Sequence, residues 1–176
     1  MDDPDAQERP LAFYRADPRA VFELSELDAL RRKVRRSLAA DPGWEPAIDQ
    51  AFGAVVAACA RSRADDGVWL TPRLAQLYDE LHTAGFAHSF ELWDGERLIA
   101  GVLGVVIGRA TMLESMFHAV PHAGNVNLVR TLERLQRAGV ELCDIQLSSD
   151  HTRRLGAREI PAAEFERRLS AALRAS

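Results

Sequence analysis

The chain has 176 residues, 47% hydrophobic and 27% charged, with a net charge of −4. That length holds one domain with a sizeable core plus a short extension, and mild acidity excludes a protein that binds nucleic acid through global charge. Cys59 and Cys143 are too few for a disulfide framework, Met1-Asp-Asp-Pro-Asp5 carries no apolar leader, and no stretch reaches the ~20 apolar residues of a membrane span, so a soluble cytoplasmic protein with no membrane partner is expected.

Residues 1–12 are polar with two prolines and read as a poorly ordered terminus. Beyond them a helix is expected around Leu27–Leu38, carrying Arg31-Arg-Lys-Val-Arg-Arg36, five cations in six residues. Such a run is either a solvated helix face or a phosphate-contacting patch that displaces counterions. From Pro46 the pattern sharpens. Ile48, Phe52, Val55, Val56 and Cys59 recur at helical spacing and predict a helix of about four turns. Thr71-Pro72 reads as a helix start, Leu74, Leu77, Tyr78 and Leu81 as its apolar stripe, and Gly85 as its stop.

Strands are expected over Ala87–Trp93 and Arg97–Ile107, around the hairpin signal Asp94-Gly95, and again over Ala110–Phe117. Asn125 caps an expected helix to Ala138 with Leu128, Leu132 and Leu135 inward and Gly139 as its stop. Val140–Leu147 reads as a fourth strand, and Phe165, Leu169 and Leu173 stripe a last helix. The fold class is therefore α/β (α+β), helices flanking one mixed sheet. Residues 1–45 form an extension carrying the basic segment and 46–176 the domain proper.

Alternate strand residues share a face. Asp144 and Gln146 thus point together, with Cys143, Ile145 and Leu147 opposite, and Glu114 and Met116 share a face of a neighbouring strand. Lining a cleft, those side chains offer two carboxylates, a carboxamide and a soft thioether; on an open face they are merely solvated. His82, His88 and His151 lack zinc-site spacing and read as satisfied structural histidines. No metal or cofactor motif is present.

Three stretches carry a resemblance: Tyr78-Asp-Glu-Leu-His-Thr-Ala-Gly-Phe-Ala-His-Ser-Phe-Glu-Leu-Trp93, Glu114-Ser-Met-Phe117, and Asp144-Ile-Gln146 with Asp150-His151 and Leu155-Gly-Ala157. In this order and spacing they resemble the leucyl/phenylalanyl-tRNA–protein transferase family, whose members move an amino acid from a charged tRNA to a free amine. The match runs from about Phe13, where Phe-Tyr-Arg-Ala-Asp-Pro-Arg19 looks like the family's Trp-Trp-Ser-Pro-Asp-Pro-Arg, to about Phe165. It implies a GNAT-like acyltransferase fold, aminoacyl-tRNA as co-substrate in place of a cofactor, and an amine acceptor that is a protein N-terminus, a peptide or a small molecule.

The resemblance also implies roles. Asp144 would polarise Gln146, whose carbonyl oxygen would accept from the attacking amine, and Glu114 would orient the acceptor. Asp144 and Gln146 are expected to project together into a hole sized for an aminoacyl group. A Leu-, Phe- or Met-like donor side chain would enter a pocket of Met116, Val102, Leu128 and Leu135, with Thr131 where the family usually has a bulky apolar residue. Cys143 falls there by position, though its strand face points it away. Trp69 matches the tryptophan of the family's Thr-Trp-Ile and would stack on the terminal adenine, a contact worth roughly 1–3 kcal/mol. Arg31, Arg32, Lys33, Arg35 and Arg36 would meet tRNA phosphates.

Three departures imply a diverged member. The segment with Gly-Ile-Phe-Pro-Trp is not present, His122-Ala-Gly-Asn125 stands for Asn-Ala-Ser-Lys, and Ser149 replaces an asparagine. An alternative is an acyl-CoA-dependent GNAT N-acyltransferase. Its pyrophosphate loop has one weak counterpart here, Arg153-Arg-Leu-Gly-Ala-Arg158. A non-catalytic RNA-binding relative ranks last, because Asp144 and Gln146 are both present.

Overall fold

The computed structural model describes residues 15–62 and 70–174; the terminus read from residues 1–12 lies outside them. The strands are β1 (Arg19–Phe22), β2 (Glu45–Ile48), β3 (Ala87–Asp94), β4 (Arg97–Ile107), β5 (Ala110–His118), β6 (Leu142–Gln146) and β7 (Arg158–Ile160). They form a seven-stranded sheet in the order β2-β3-β4-β5-β6-β1-β7. β5 and β6 run parallel, and the other neighbouring pairs are antiparallel. The helices are α1 (Leu27–Lys33), α2 (Arg35–Ala39), α3 (Phe52–Ser62), α4 (Pro72–Thr83), α5 (Ala123–Arg137), α6 (Asp150–Leu155) and α7 (Ala162–Arg174). This is the mixed sheet flanked by helices that was expected.

Both faces of the sheet are covered. On β4, Val102 packs with Phe90, Leu113 and Cys143 under Leu128 and Leu132 of α5. Its neighbour Leu103 turns the other way, to Phe52 and Val55 of α3 and Tyr78 of α4. α7 lies over Leu142 and Val21 on that second face. A strand buried on both sides has no polar face, which explains the unbroken apolar run of β4; each buried leucine or valine contributes roughly 1.5–3 kcal/mol. Gly101 is needed for this packing, since a Cβ there would stand 2.6 Å from the Phe117 ring and 2.9 Å from Val55.

Several local expectations change. Ile48 belongs to β2, not to the helix, which starts at Phe52. Pro46 is tolerated in β2 because that strand is the sheet edge. The basic helix breaks at buried Val34 into α1 and α2. His122 holds the N-cap position of α5 without a side-chain capping bond, and Asn125 sits inside the helix. The two residues between β3 and β4 are Gly95 and Glu96, with the glycine at φ +57. β1, β2, α6 and β7 are too short to leave a periodic pattern.

Two changes bear on the site. β1 lies between β6 and β7, so residues assigned from sequence to an extension supply a strand beside Asp144. A bulge in β5 also intervenes: Leu103 faces Ser115 and Gly104 faces Leu113, leaving Glu114 as the extra residue. Simple alternation therefore does not describe Glu114 and Met116. Met116 packs with the α5 cluster, whereas Glu114 reaches Tyr78 on the α4 side.

Candidate active site

β5 and β6 pair at three positions, Ala110 with Leu142, Thr111 with Cys143 and Met112 with Asp144, and then part. Where backbone pairing stops, a side-chain bond takes over: Gln146 Nε2 donates to Glu114 Oε2 across the fork. The bulge aims Glu114 at that partner. Because the carboxamide nitrogen is spent on Glu114, its oxygen is the group's acceptor end.

Asp144 stands one step behind. It is fully buried, and Arg19 of β1 clamps it with Nε 3.0 and 3.1 Å from the two carboxylate oxygens and Nη2 2.7 Å from Oδ2. The Arg19 guanidinium lies 4.8 Å above the Phe165 ring of α7. Asp144 Oδ1 also accepts from the Gln146 backbone N–H at 2.8 Å. That bond secures Gln146 at φ +63, a left-handed conformation costing a non-glycine residue about 1 kcal/mol or more. The expected bond from Asp144 to the Gln146 carboxamide is thus replaced by one to its main chain. Asp144 also does not project into a hole: the backbone turn at Gln146 lets one carboxylate hold strand and arginine together from within the sheet.

Burial, reinforced by the negative charge of Asp144, raises the pKa of Glu114 above the ordinary carboxylate range despite its bonds to Gln146 and Tyr78. Burial and then Glu114 push the Tyr78 phenol up. Burial and then Asp144 do the same for the Cys143 thiol. Cys143 is a core residue with no pocket contact, and it stays a protonated thiol.

On the α5 side of the fork is a cavity of about 110 Å³. Glu114, Met116, Val102 and Leu128 line it together with Phe22, Leu113, Ile145 and Leu147, whereas Gln146, expected to project into it, is not among the lining residues. Leu147 is 70% exposed, an apolar rim left open to solvent. Ser115 also lines the cavity; it is 93% buried, and its hydroxyl has no hydrogen-bond partner among the described residues. A buried hydroxyl in that state is satisfied by a polar group entering the cavity. Thr131 and Leu135 do not line it. Leu135 packs in the core, and the Thr131 hydroxyl is buried without a partner among the described residues. The bottom of the pocket is therefore nearer the sheet than the positional match implies. Ile145 and Leu147 were legible as the apolar alternates to Asp144 and Gln146. Arg19 was signalled only by the Asp-Pro-Arg segment.

The basic residues Arg31, Arg32, Lys33, Arg35 and Arg36 lie exposed on α1 and α2, away from the cavity lining, with Arg31 paired to Glu133 of α5. Trp69 lies outside the described residues. His82 Nδ1 is 2.8 Å from the Ala87 carbonyl oxygen and its ring stacks on Phe52; His88 Nδ1 is 2.8 Å from Asp49. Both are tied into the fold. Arg153–Arg158, the acyl-CoA candidate, ends α6 at Gly156 and enters β7. It presents helix carbonyls rather than the N–H groups a pyrophosphate needs.

A mixed sheet that forks between β5 and β6, a carboxylate–carboxamide bridge at the fork and an apolar cavity beside it define an acyltransferase-like α/β protein. A conserved protein of unknown function from Bacteroides thetaiotaomicron shares the fold, with a TM-score of 0.58 at 14% identity over 89% of this chain and 56% of that one. The family model described as leucyl/phenylalanyl-tRNA protein transferase matches residues 21–170. The proteins so named from Rubrobacter xylanophilus and Anaeromyxobacter dehalogenans are 45% and 42% identical, covering 93% and 94% of this chain and 84% and 71% of their own lengths. The chain belongs to the leucyl/phenylalanyl-tRNA–protein transferase family, a family of aminoacyltransferases. No helix among the described residues is long and apolar enough to cross a membrane.

Proposed function

We propose that this chain transfers a leucyl, phenylalanyl or similar apolar aminoacyl group from tRNA to the free amine of a protein or peptide, in the cytoplasm and with no cofactor beyond the charged tRNA. The observation that carries the reading is Glu114, which lines the apolar cavity and accepts from the Gln146 carboxamide beside it. The ester is already activated, so amide formation is downhill and the protein has to position the amine. The amine nitrogen bonds to the ester carbonyl carbon, the carbon–oxygen bond to the ribose breaks, and the amine's proton ends on the ribose hydroxyl. Gln146 Oε1 accepts a hydrogen bond from the amine and aims its lone pair, while Glu114 fixes the carboxamide. The donor side chain lies among Val102, Met116, Leu128 and Ile145. Ser115 meets a polar atom of the same aminoacyl group.

Purified protein incubated with charged tRNA and an amine-bearing peptide should yield the aminoacylated peptide by mass spectrometry. Transfer should weaken as salt rises, since phosphate contacts release counterions. Activity with acetyl-CoA in place of charged tRNA sinks the reading. The cavity accepts an apolar side chain but sets no limit on the acceptor's size, so a panel of small amines belongs in the same assay.

A further inference from the structure

Beside the aminoacyl cavity, sharing Met116 and His151 with it, opens a larger one of about 620 Å³. His118 at the end of β5, His122 and Asn125 at the start of α5, and His151 on α6 supply most of its polar lining, and no carboxylate among the described residues lines it. Gly124 lets His118 close on α5, since a Cβ there would stand 3.1 Å from His118 Nδ1 and 3.2 Å from Cγ. His122 is held at φ +71 by a short relay. Asn125 Nδ2 donates to Ser37 Oγ at 3.1 Å, and Ser37 Oγ lies 3.2 Å from His122 Nδ1. With the serine proton given to Nδ1, neutral His122 carries its own proton on Nε2 and is a donor there. Burial, then the positive charge of Arg154 and His118, lowers the pKa of His151, which marks a neighbourhood short of negative charge. Among the described residues no group of His, Cys, Asp and Glu is placed to hold a metal ion. Donor histidines with no acid between them suit an anion.

We propose that this cavity binds the phosphodiester on the 5′ side of the tRNA's terminal ribose, with His118 and His122 as the contacting donors. The inference rests on the transferase reading. The ribose whose ester enters the aminoacyl cavity carries that phosphodiester on its opposite side. The phosphate of the same nucleotide therefore emerges next to the aminoacyl group, where the two cavities meet.

Two stable mimics test it: adenosine bearing leucine or phenylalanine in amide linkage at its 3′ position, with and without a 5′-phosphate. Wild-type protein should bind the phosphorylated form about tenfold more tightly by calorimetry, the worth of one hydrogen bond to a charged group. The double variant His118→Ala/His122→Ala should bind both forms alike, at the wild-type affinity for the unphosphorylated one. Gly124→Ala, which displaces His118 without deleting a donor, should lose part of the phosphate advantage, with thermal melting confirming that each variant folds. Equal binding of the two forms by wild type overturns the phosphate site and leaves the transferase reading standing. Failure to bind either form overturns both. A His122→Ala variant that raises KM for the amine acceptor but not for the donor assigns the cavity to the acceptor and overturns the proposal.

Discussion

The paired and parted ends of β5 and β6 use similar residues for opposite ends. Where the strands pair, Asp144 is fully buried and every lone pair that matters is taken by Arg19 or by the Gln146 main chain. Two residues on, where they part, Gln146 is half-buried and bonded by its side chain, among the described residues, to Glu114 alone. The first arrangement resists change; the second keeps one acceptor atom unspent. Sequence spacing makes the two residues look like an equivalent pair, yet the geometry makes Asp144 a positioning residue and leaves Gln146 as the acceptor that the proposed reaction uses.

The largest expected effect follows from removing the buried partner. Asp144→Ala strands the Arg19 guanidinium and frees the Gln146 N–H, and breaking a buried pair from one side costs about 3–5 kcal/mol. Urea denaturation should show that loss as a lower midpoint at unchanged slope, with transfer falling in parallel. An Asp144→Ala protein of wild-type stability that has merely lost activity would erase the distinction between the two ends.

Gln146 should behave in the reverse way. Gln146→Ala is expected to lower kcat/KM for transfer about 10²-fold while stability moves by less than about 1 kcal/mol. Gln146→Gly should lose as much activity yet gain up to about 1 kcal/mol, because glycine adopts φ +63 without strain. If either variant keeps more than about a tenth of wild-type transfer, the carboxamide is not the group that meets the amine.

Glu114 tests the coupling between the ends through pH. Its folded pKa is raised, chiefly by burial. The folded state therefore holds a proton more tightly than the unfolded chain, and stability falls as pH rises from the ordinary carboxylate range through the raised value. Glu114→Gln removes that decline. Its stability relative to wild type should grow across the same window and level off above it, while transfer drops because Gln146 loses the carboxyl group that fixes it. A pH-independent difference in melting temperature would mean that Glu114 is not held in a charge-disfavouring site.

How far the sequence reached follows the same division. Period-2 alternation on β6 placed Asp144 and Gln146 on one face and Ile145 and Leu147 on the other, and the structure keeps that split. Alternation failed at Glu114 because a bulge adds a residue without any composition signal, and the bulge turns Glu114 toward Gln146. Arg19 escaped for a different reason. β1 has four residues, too few for a period, and its place beside β6 is set by pairing across more than a hundred residues. The resemblance identified the family, but positional matching extended the pocket to Thr131 and Leu135, which the cavity does not reach.

Thr131 offers the smallest effect and the finest test of where the pocket ends. Its hydroxyl is buried without a partner among the described residues, so Thr131→Val exchanges an unsatisfied oxygen for a methyl of similar shape. That change should add about 1 kcal/mol to stability, visible as a higher urea midpoint. Because the cavity stops at Leu128 on this helix, the ratio of leucyl to phenylalanyl transfer should stay at its wild-type value. A shift in that ratio would show that the bound side chain reaches one turn deeper along α5. In that case the donor pocket would be wider when occupied than when empty, and Thr131 would belong to it after all.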